Sequence, residues 1–154
     1  MLGTAGALYV TQGGPVPGSD EPGVVSGRQR VDADGTVELL SSSIAGHTLI
    51  GPNDLAFGPD GRLWFTDSGS EQDFRFDVRV PGKLYVLDAT GGGEMLMERP
   101  EVYPNGIAFD QHEQMYWTEA AAHRTCRLAE GKPTVWARRT AGNVPDGRAD
   151  GAAG

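Results

Sequence analysis

The sequence predicts an all-β protein, a β-propeller built from four-stranded blades, of which about three are present. Three observations support this prediction: many chain-breaking residues, short apolar runs between them, and an internal repeat. The 154 residues include 23 glycines and 10 prolines. They leave segments too short for ordinary helices of about 11 residues but long enough for strands of about 5. Short strands joined by tight turns should therefore dominate.

Two hairpins are visible directly in the sequence. Leu55–Phe57 and Arg62–Thr66 are apolar, β-favouring runs that flank the turn Gly58-Pro59-Asp60-Gly61. Glycine, proline and aspartate are the residues that such turns favour. Lys83–Asp88 and Glu94–Glu98 form the second pair, around a glycine-rich turn. Each pair predicts two antiparallel strands.

An internal repeat joins these hairpins into a larger pattern. Pro52–Phe57 (PNDLAF) recurs 52 residues later as Pro104–Phe109 (PNGIAF). The partner strand keeps the same offset, because Leu63–Asp67 (LWFTD) recurs as Met115–Glu119 (MYWTE). Self-similarity at a period of about 20–50 residues is the mark of a repeat architecture.

Two further matches extend the repeat in both directions. Gly6–Gly14 resembles Gly61–Gly69 at an offset of 55, and Val144–Gly147 repeats the first-strand motif 41 residues after its previous copy. One unit therefore contains four short strands in about 40–55 residues, which favours a propeller blade over a solenoid repeat.

The repeat predicts one partial propeller domain over residues 1–154. We place the end of the first blade at about 1–30, the two following blades at 31–90 and 91–140, and a truncated beginning of the next blade at 141–154. The stretch Glu119–Leu128 is interpreted as a loop, although it contains three consecutive alanines.

Charge and composition exclude several classes of function. Thirteen Lys and Arg residues oppose 21 Asp and Glu, giving a net charge of −8. Binding to nucleic-acid phosphates needs clustered basic residues, so nucleic acid is not expected as a partner. No apolar run approaches the roughly 20 residues of a membrane span, and no basic, apolar leader opens the chain. A single cysteine, Cys126, cannot form an internal disulfide. We therefore expect a cytoplasmic protein that does not bind membranes.

The candidate functional residues follow from propeller geometry. The first strand of each blade lines the central channel, so Asn53, Asn105 and Asp146, at matching positions of successive repeats, should converge there. Two amide oxygens and a carboxylate suit a hard divalent cation, with Ca²⁺ favoured and Mg²⁺ or Mn²⁺ possible. Zn²⁺ fits these ligand types less well. Capping of the backbone after proline is the simpler alternative for each residue alone.

These motifs resemble the gluconolactonase and regucalcin-like family of six-bladed propellers, the sugar-lactone lactonases. The resemblance runs from about Gly6 to Gly147. It is carried by Pro52–Asp67, by the echo Tyr103–Phe109 and by the last motif, Val144–Gly147. Three spaced first-strand motifs with Asn, Asn and Asp are far more specific than the single turns that many propellers share.

The resemblance implies an enzyme that hydrolyses a small lactone with the help of a divalent cation. Carried over by motif, Asn105 and Asp146 would be metal ligands, Asn53 would contact the substrate, and Asp146 would also be the general base. The family's metal site includes a first-blade glutamate, but no acidic residue precedes the match that begins at Gly6. The segment after Gly147 also lacks β-branched and aromatic residues. We therefore expect a fragment that is inactive and binds metal weakly or not at all.

Two other functions remain open. A non-catalytic propeller with YWTD-like or NHL-like repeats could serve as a binding platform, and Met115–Glu119 faintly resembles such repeats. A strictosidine-synthase-like propeller would share the architecture with different channel residues. The acids Asp67 and Glu119 end matching strands, and we expect them to bind turn amides or face solvent.

Overall fold

The computed structural model of the protein describes Gly3 and residues 6–14, 23–69, 80–88 and 92–138. These residues form thirteen strands and no helix, and thus no helix that could cross a membrane. The prediction of an all-β structure is confirmed for this part of the chain. The strands are β1 Leu8–Gly13, β2 Ser26–Val31, β3 Val37–Ser41, β4 Ser43–Ile44, β5 His47–Thr48, β6 Pro52–Phe57, β7 Leu63–Asp67, β8 Gly82–Leu87, β9 Gly93–Arg99, β10 Pro104–Phe109, β11 Met115–Glu119, β12 Arg124–Ala129 and β13 Lys132–Arg138.

The strands form successive antiparallel sheets in which each strand pairs with its neighbour in sequence. The first sheet has the order β1-β2-β3, the second β6-β7-β8-β9 and the third β10-β11-β12-β13, while β4 and β5 form a small two-stranded sheet. The second and third sheets are the four-stranded units that the repeat predicts. Strand β6 packs against β1 on one side and against β10 on the other.

The sheets divide the chain at other residues than the sequence suggests. Strand β3 pairs with β2, with Val37 opposite Val31, so residues 31–41 complete the first sheet. Strand β9 pairs with β8 and completes the second sheet. The predicted divisions at about 30 and 90 fall within the hairpins β2–β3 and β8–β9, whose two arms pair with each other. The first sheet has three strands rather than half a blade.

The interpretation of Glu119–Leu128 as a loop is wrong. Only residues 120–123 form a turn, and β12 begins at Arg124 and pairs with β11. Cys126 lies in this strand, faces Trp117 and is buried. Alanine favours helix, but a run of three is too short to nucleate one, and these alanines lie in the turn that joins β11 to β12.

Strand β7 of the second sheet is buried on both faces. All five residues of β7 are buried, and they alternate between two cores. Trp64, with Leu84 and Val86 of β8, packs against residues of the third sheet. Phe65 lies fully buried in the other core, stacked on Tyr85 with ring centroids 5.1 Å apart. Burying one such side chain contributes about 1.5–3 kcal/mol, so the sheet-to-sheet junctions hold the structure together.

Candidate functional site

Both complete sheets begin with a strand that carries a β-bulge at the asparagine. In β6, Pro52 pairs with Asp67 and Leu55 with Phe65, so Asn53 and the residue after it together face one residue of β7. Strand β10 has the same shift between Pro104 and Ile107. A bulge bends the strand and redirects the side chain of the extra residue. The proline before each bulge begins its strand, a position where its missing N–H costs no ladder bond.

Side chains of the second sheet bind the backbone of β10 at this bulge. Ser68 Oγ donates to the carbonyl oxygen of Pro104 at 2.6 Å, and Thr66 Oγ1 donates to that of Asn105 at 2.5 Å. The carboxylate oxygen Oδ2 of Asp54 accepts a hydrogen bond from the N–H of Ile107 at 2.9 Å. Three successive bonds therefore fix the bulged segment of β10 to the sheet before it.

The first junction repeats one of these bonds at the matching position. Thr11 Oγ1 donates to the carbonyl oxygen of Asn53 at 2.6 Å. Because Thr11 and Thr66 are equivalent in the repeat, one threonine per blade holds the asparagine of the next blade. This device positions Asn53 and Asn105 alike.

Asn53 is half-buried and its amide has a defined orientation. Its Nδ2 donates to Ser68 Oγ at 3.0 Å, and Ser68 in turn donates to β10. This bond uses one of the two N–H donors of the amide, and the acceptor Oδ1 is the atom with the chemistry to bind a cation or a hydroxyl group. Asn53 thus lies two hydrogen bonds from the segment that carries Asn105.

Asn105 is half-buried as well, and the structure describes no hydrogen bond from its side-chain amide to the residues in the ranges given above. Asp146, the third predicted site residue, lies outside the described residues. The structure therefore brings together the segments that carry Asn53 and Asn105, on neighbouring first strands. The roles assigned to these two asparagines and to Asp146 stay predictions.

The chemistry of the two amides fits a hard cation. Amide oxygens are ligands for Ca²⁺, Mg²⁺ and Mn²⁺, but they are neutral, so a carboxylate is also needed to balance the charge of the cation. Within the described part of the chain, no group of three or more His, Cys, Asp or Glu side chains is arranged to hold a metal. A cation at this position would thus depend on amide oxygens and on Asp146.

Asp67 caps the backbone, as expected. Its carboxylate accepts hydrogen bonds at 2.9 Å from the N–H groups of Ile50, Gly51 and Gly69. Ile50 and Gly51 lead directly into β6, so this carboxylate fixes the approach to the bulge. The prediction that Asp67 binds turn amides is confirmed.

Glu119 occupies the matching position of the third sheet but behaves differently. It is fully buried, and its carboxylate accepts hydrogen bonds from Arg99 at 2.6 Å, Arg124 at 2.5 Å and the indole of Trp117 at 3.0 Å. Burial alone would raise the pKa of Glu119, but these hydrogen bonds outweigh it and lower the pKa below its usual value. The expectation of turn amides or solvent is wrong here, because the longer side chain reaches two arginines.

Sequence reasoning overlooked the residues that hold the asparagines in place. Thr66 and Ser68 follow apolar strand residues and look like ordinary strand ends. A signal existed, because the threonine recurs in register in all three repeats, as Thr11, Thr66 and Thr118. Asp54 gave no such signal, since the equivalent position is Gly106.

Comparisons with solved structures show the same fold in several propellers. A structural-genomics target assigned to the gluconolactonases is similar with a TM-score of 0.65 and 24% identity, over 87% of this chain and 46% of that chain. A gluconolactonase from Xanthomonas campestris has a TM-score of 0.57 and 28% identity, over 79% and 43%. Virginiamycin B lyase from Staphylococcus aureus has a TM-score of 0.58 and 17% identity, over 88% and 39%. The predicted β-propeller fold is confirmed.

The chain spans less than half the length of these structural relatives. No curated protein matches it. The SMP-30/gluconolactonase/LRE-like family, in contrast, matches residues 3–153, nearly the entire sequence. On this match and on the propeller fold, the chain belongs to the SMP-30/gluconolactonase/LRE-like family.

Proposed function

We propose that this chain forms part of a metal-dependent hydrolase that opens a sugar lactone or a similar small lactone. The observation that carries the proposal is the pair of matching bulges, each with a half-buried asparagine held by a threonine of the preceding sheet. A binding platform has no need for such a device at the first strand of each blade. Family membership and the similarity to the Xanthomonas gluconolactonase support the same conclusion.

The roles of the residues follow from their chemistry. Asn105 and Asp146 would hold the divalent cation, most plausibly Ca²⁺, which when bound supplies Lewis-acid polarisation of an ester carbonyl. The amide oxygen of Asn53 would accept a hydrogen bond from a substrate hydroxyl and orient the ring. Asp146 would accept a proton from the attacking water as general base. Breaking the acyl C–O bond releases the ring oxygen as an alkoxide, which takes up a proton from solvent, and the product is the open-chain hydroxy acid.

We also propose that the 154 residues alone have weak activity or none. The chain spans less than half the length of its structural relatives, and of the two predicted metal ligands the described residues supply the neutral Asn105 alone. Neutral amides bind divalent cations weakly without carboxylates nearby. The dissociation constant of the metal in the isolated chain should therefore be larger than micromolar.

Paramagnetic Mn²⁺ tests the candidate site in the chain itself. The sequence has only three asparagines, Asn53, Asn105 and Asn143, so their side-chain amide signals can be assigned in an ¹⁵N-labelled sample. We expect Mn²⁺ to broaden the signals of Asn53 and Asn105 first, and EDTA to restore them. The amide of Gln114, which donates to the carbonyl oxygen of Leu128, is the internal control.

Asn105→Ala should abolish the selective broadening at Asn53, while Asn143→Ala should leave it unchanged. Uniform broadening, or none at millimolar Mn²⁺, would contradict a cation site at the bulges. Submicromolar binding by calorimetry would contradict the weak affinity proposed for this chain.

Activity is measured by pH-stat with gluconolactone, for the chain alone and joined to further blades that complete the propeller. We expect hydrolysis above the spontaneous rate only in the completed ring, and its loss in EDTA. Asp146→Asn should lower kcat/KM at least 100-fold, in the range known for metal ligands and general bases. Inactivity of the completed ring toward a panel of lactones, with or without metal, would contradict the lactonase proposal.

A further inference from the structure

Arg28 is a buried cation for which the part of the chain that the structure describes supplies no acidic partner. Its side chain is 4% exposed, and its Nε is buried without a hydrogen-bond partner. The guanidinium lies over the ring of Phe65, 5.6 Å from the centroid, and the structure describes no carboxylate within salt-bridge distance of it in the ranges it covers. Burial lowers the pKa of Arg28 to about 10. Arginine is rarely buried unless it is paired, so this side chain requires an explanation.

Two other arginines, Arg99 and Arg30, show the usual arrangement. Arg99 also lies over an aromatic ring between two sheets, 5.9 Å from the centroid of Trp117, but it pairs with Glu119 at 2.6 Å. Arg30 pairs with Asp32 at 2.7 Å. Arg28 is distinguished from both by the missing anion.

Arg28 lines a cavity of about 460 Å³ between the first and second sheets. The cavity lies toward the strand ends remote from Pro52, away from the two bulges. Its walls are both apolar and charged, and pockets of this size hold small organic ligands. The lining residues used below are Tyr9, Arg30, Glu38, Phe57, Leu63 and Asp88.

The charges on the wall restrict the ligand. Arg30 is already paired with Asp32 and, at 3.7 Å, with Glu38. The wall therefore carries two arginines and two carboxylates, Glu38 and Asp88, and Arg28 is the cation for which the described residues supply no anion. A single negative charge can pair with Arg28, whereas the second charge of a dianion such as phosphate would find no further unpaired cation and would be repelled by the acids.

The apolar walls of the cavity restrict the choice of ligand further. Tyr9 and Phe57 meet edge to face with centroids 5.3 Å apart, and Leu63 lies beside them. An inorganic anion would leave this surface in contact with water, while an organic body would cover it. The ligand should therefore combine one carboxylate with a compact apolar body.

We propose that the cavity between the first and second sheets binds a small organic monocarboxylate, with Arg28 as the cation that pairs with the carboxylate. The site is separate from the bulges that carry Asn53 and Asn105. The inference does not depend on the lactonase proposal, and either can fail without the other.

Benzoate is a suitable probe, because it joins one carboxylate to a compact ring. Thermal unfolding of the 154-residue chain is followed in sodium benzoate and in sodium chloride at equal ionic strength. Benzoate at ten times its Kd should raise Tm by about 3–5 °C over chloride. Benzamide, its neutral analogue, and phosphate should leave Tm within 1 °C of the chloride value, roughly the smallest shift such a scan resolves.

Two arginine variants locate the effect. Arg28→Met should remove the benzoate shift, whereas Arg62→Met, in an arginine that lies outside the cavity and packs on Trp64, should keep it. The wild-type chain decides the question even if Arg28→Met does not fold. No benzoate shift, an equal shift with benzamide or phosphate, or an undiminished shift in folded Arg28→Met would each overturn the proposal.

Discussion

The two junctions between neighbouring sheets solve the same packing problem with different charge arrangements. Between the second and third sheets, Arg99 lies over Trp117 and its charge is neutralised by buried Glu119. Between the first and second sheets, Arg28 lies over Phe65 beside a cavity, and no anion among the described residues pairs with it. Phe65 and Trp117 occupy equivalent repeat positions, so the difference does not come from the aromatic residue.

The acid two residues later accounts for the contrast. Asp67 and Glu119 are equivalent, but Asp67 uses its carboxylate on the backbone N–H groups of Ile50, Gly51 and Gly69. Glu119 is one methylene longer and reaches the arginines instead. A repeat can therefore conserve a position while its side chain serves capping in one blade and charge pairing in the next.

The largest effect is expected from breaking the filled junction. Trp117 is 1% exposed and belongs to the core between the second and third sheets. Trp117→Ala should lower the free energy of unfolding by about 3–5 kcal/mol, because it leaves a cavity and removes a hydrogen bond to Glu119. Urea denaturation measures the change. Trp136, which is 59% exposed, is the control, and its change to alanine should cost less than about 1 kcal/mol. Equal losses in the two variants would mean that this junction contributes little.

The charge arrangement of the same junction can be tested with Glu119→Gln. The change removes charged hydrogen bonds to Arg99 and Arg124, whose side chains keep some exposure to water, and should cost about 2–3 kcal/mol at neutral pH. Because the folded-state pKa of Glu119 is lowered, its contribution is present above the unfolded pKa of about 4.3 and is lost as pH falls below it.

The pH dependence gives this prediction its control. The free energy of unfolding of the wild type should fall as the pH is lowered below about 4.5, and that of Glu119→Gln should fall less over the same pH range. Urea midpoints at several pH values measure both. A variant whose midpoint falls as steeply as that of wild type would show that Glu119 does not titrate with unfolding.

The smallest effects come from the threonines, and they compare the junctions at one position. Thr66 is fully buried, donates to Asn105 and accepts from the N–H of Asp54 at 3.2 Å. Thr66→Val should cost about 1–2 kcal/mol, whereas Thr11→Val, at a half-buried site with one such bond, should cost less than about 1 kcal/mol. Chemical denaturation gives both values, and a reversed order would contradict the proposed difference between the two junctions.

The alternation of strands and turns could be predicted because local chemistry determines it. The turn at Gly58–Gly61 forms as expected, with a hydrogen bond from the N–H of Gly61 to the carbonyl oxygen of Gly58 at 3.0 Å. The positions of Asn53 and Asn105 on first strands followed from the repeat. Blade boundaries could not be predicted as well, because a repeat fixes the period but not which hairpin belongs to which sheet.

Contacts between sheets could not be predicted from the sequence. The partners of Glu119 come from β9 and β12, and nothing in the local sequence around them indicates that they meet. The same is true of Arg28, which is one of two arginines in β2 and has no distinguishing local pattern. Pairing between residues of different strands depends on how the sheets pack. A difference in side-chain length of about one carbon–carbon bond is enough to change the partner.

The burial of β7 on both faces also bears on how this strand finds its alignment. In a sheet with one solvent-exposed face, a shift of the strand by one residue would expose its apolar side chains to water, and this exposure destabilises the shifted register. In β7, the same shift would only exchange Trp64 and Phe65 between the two cores, and both side chains would remain buried. The shifted register is destabilised in two other ways. The indole of Trp64 does not fit the space that the single ring of Phe65 fills, and the Thr66 hydroxyl loses its two backbone partners.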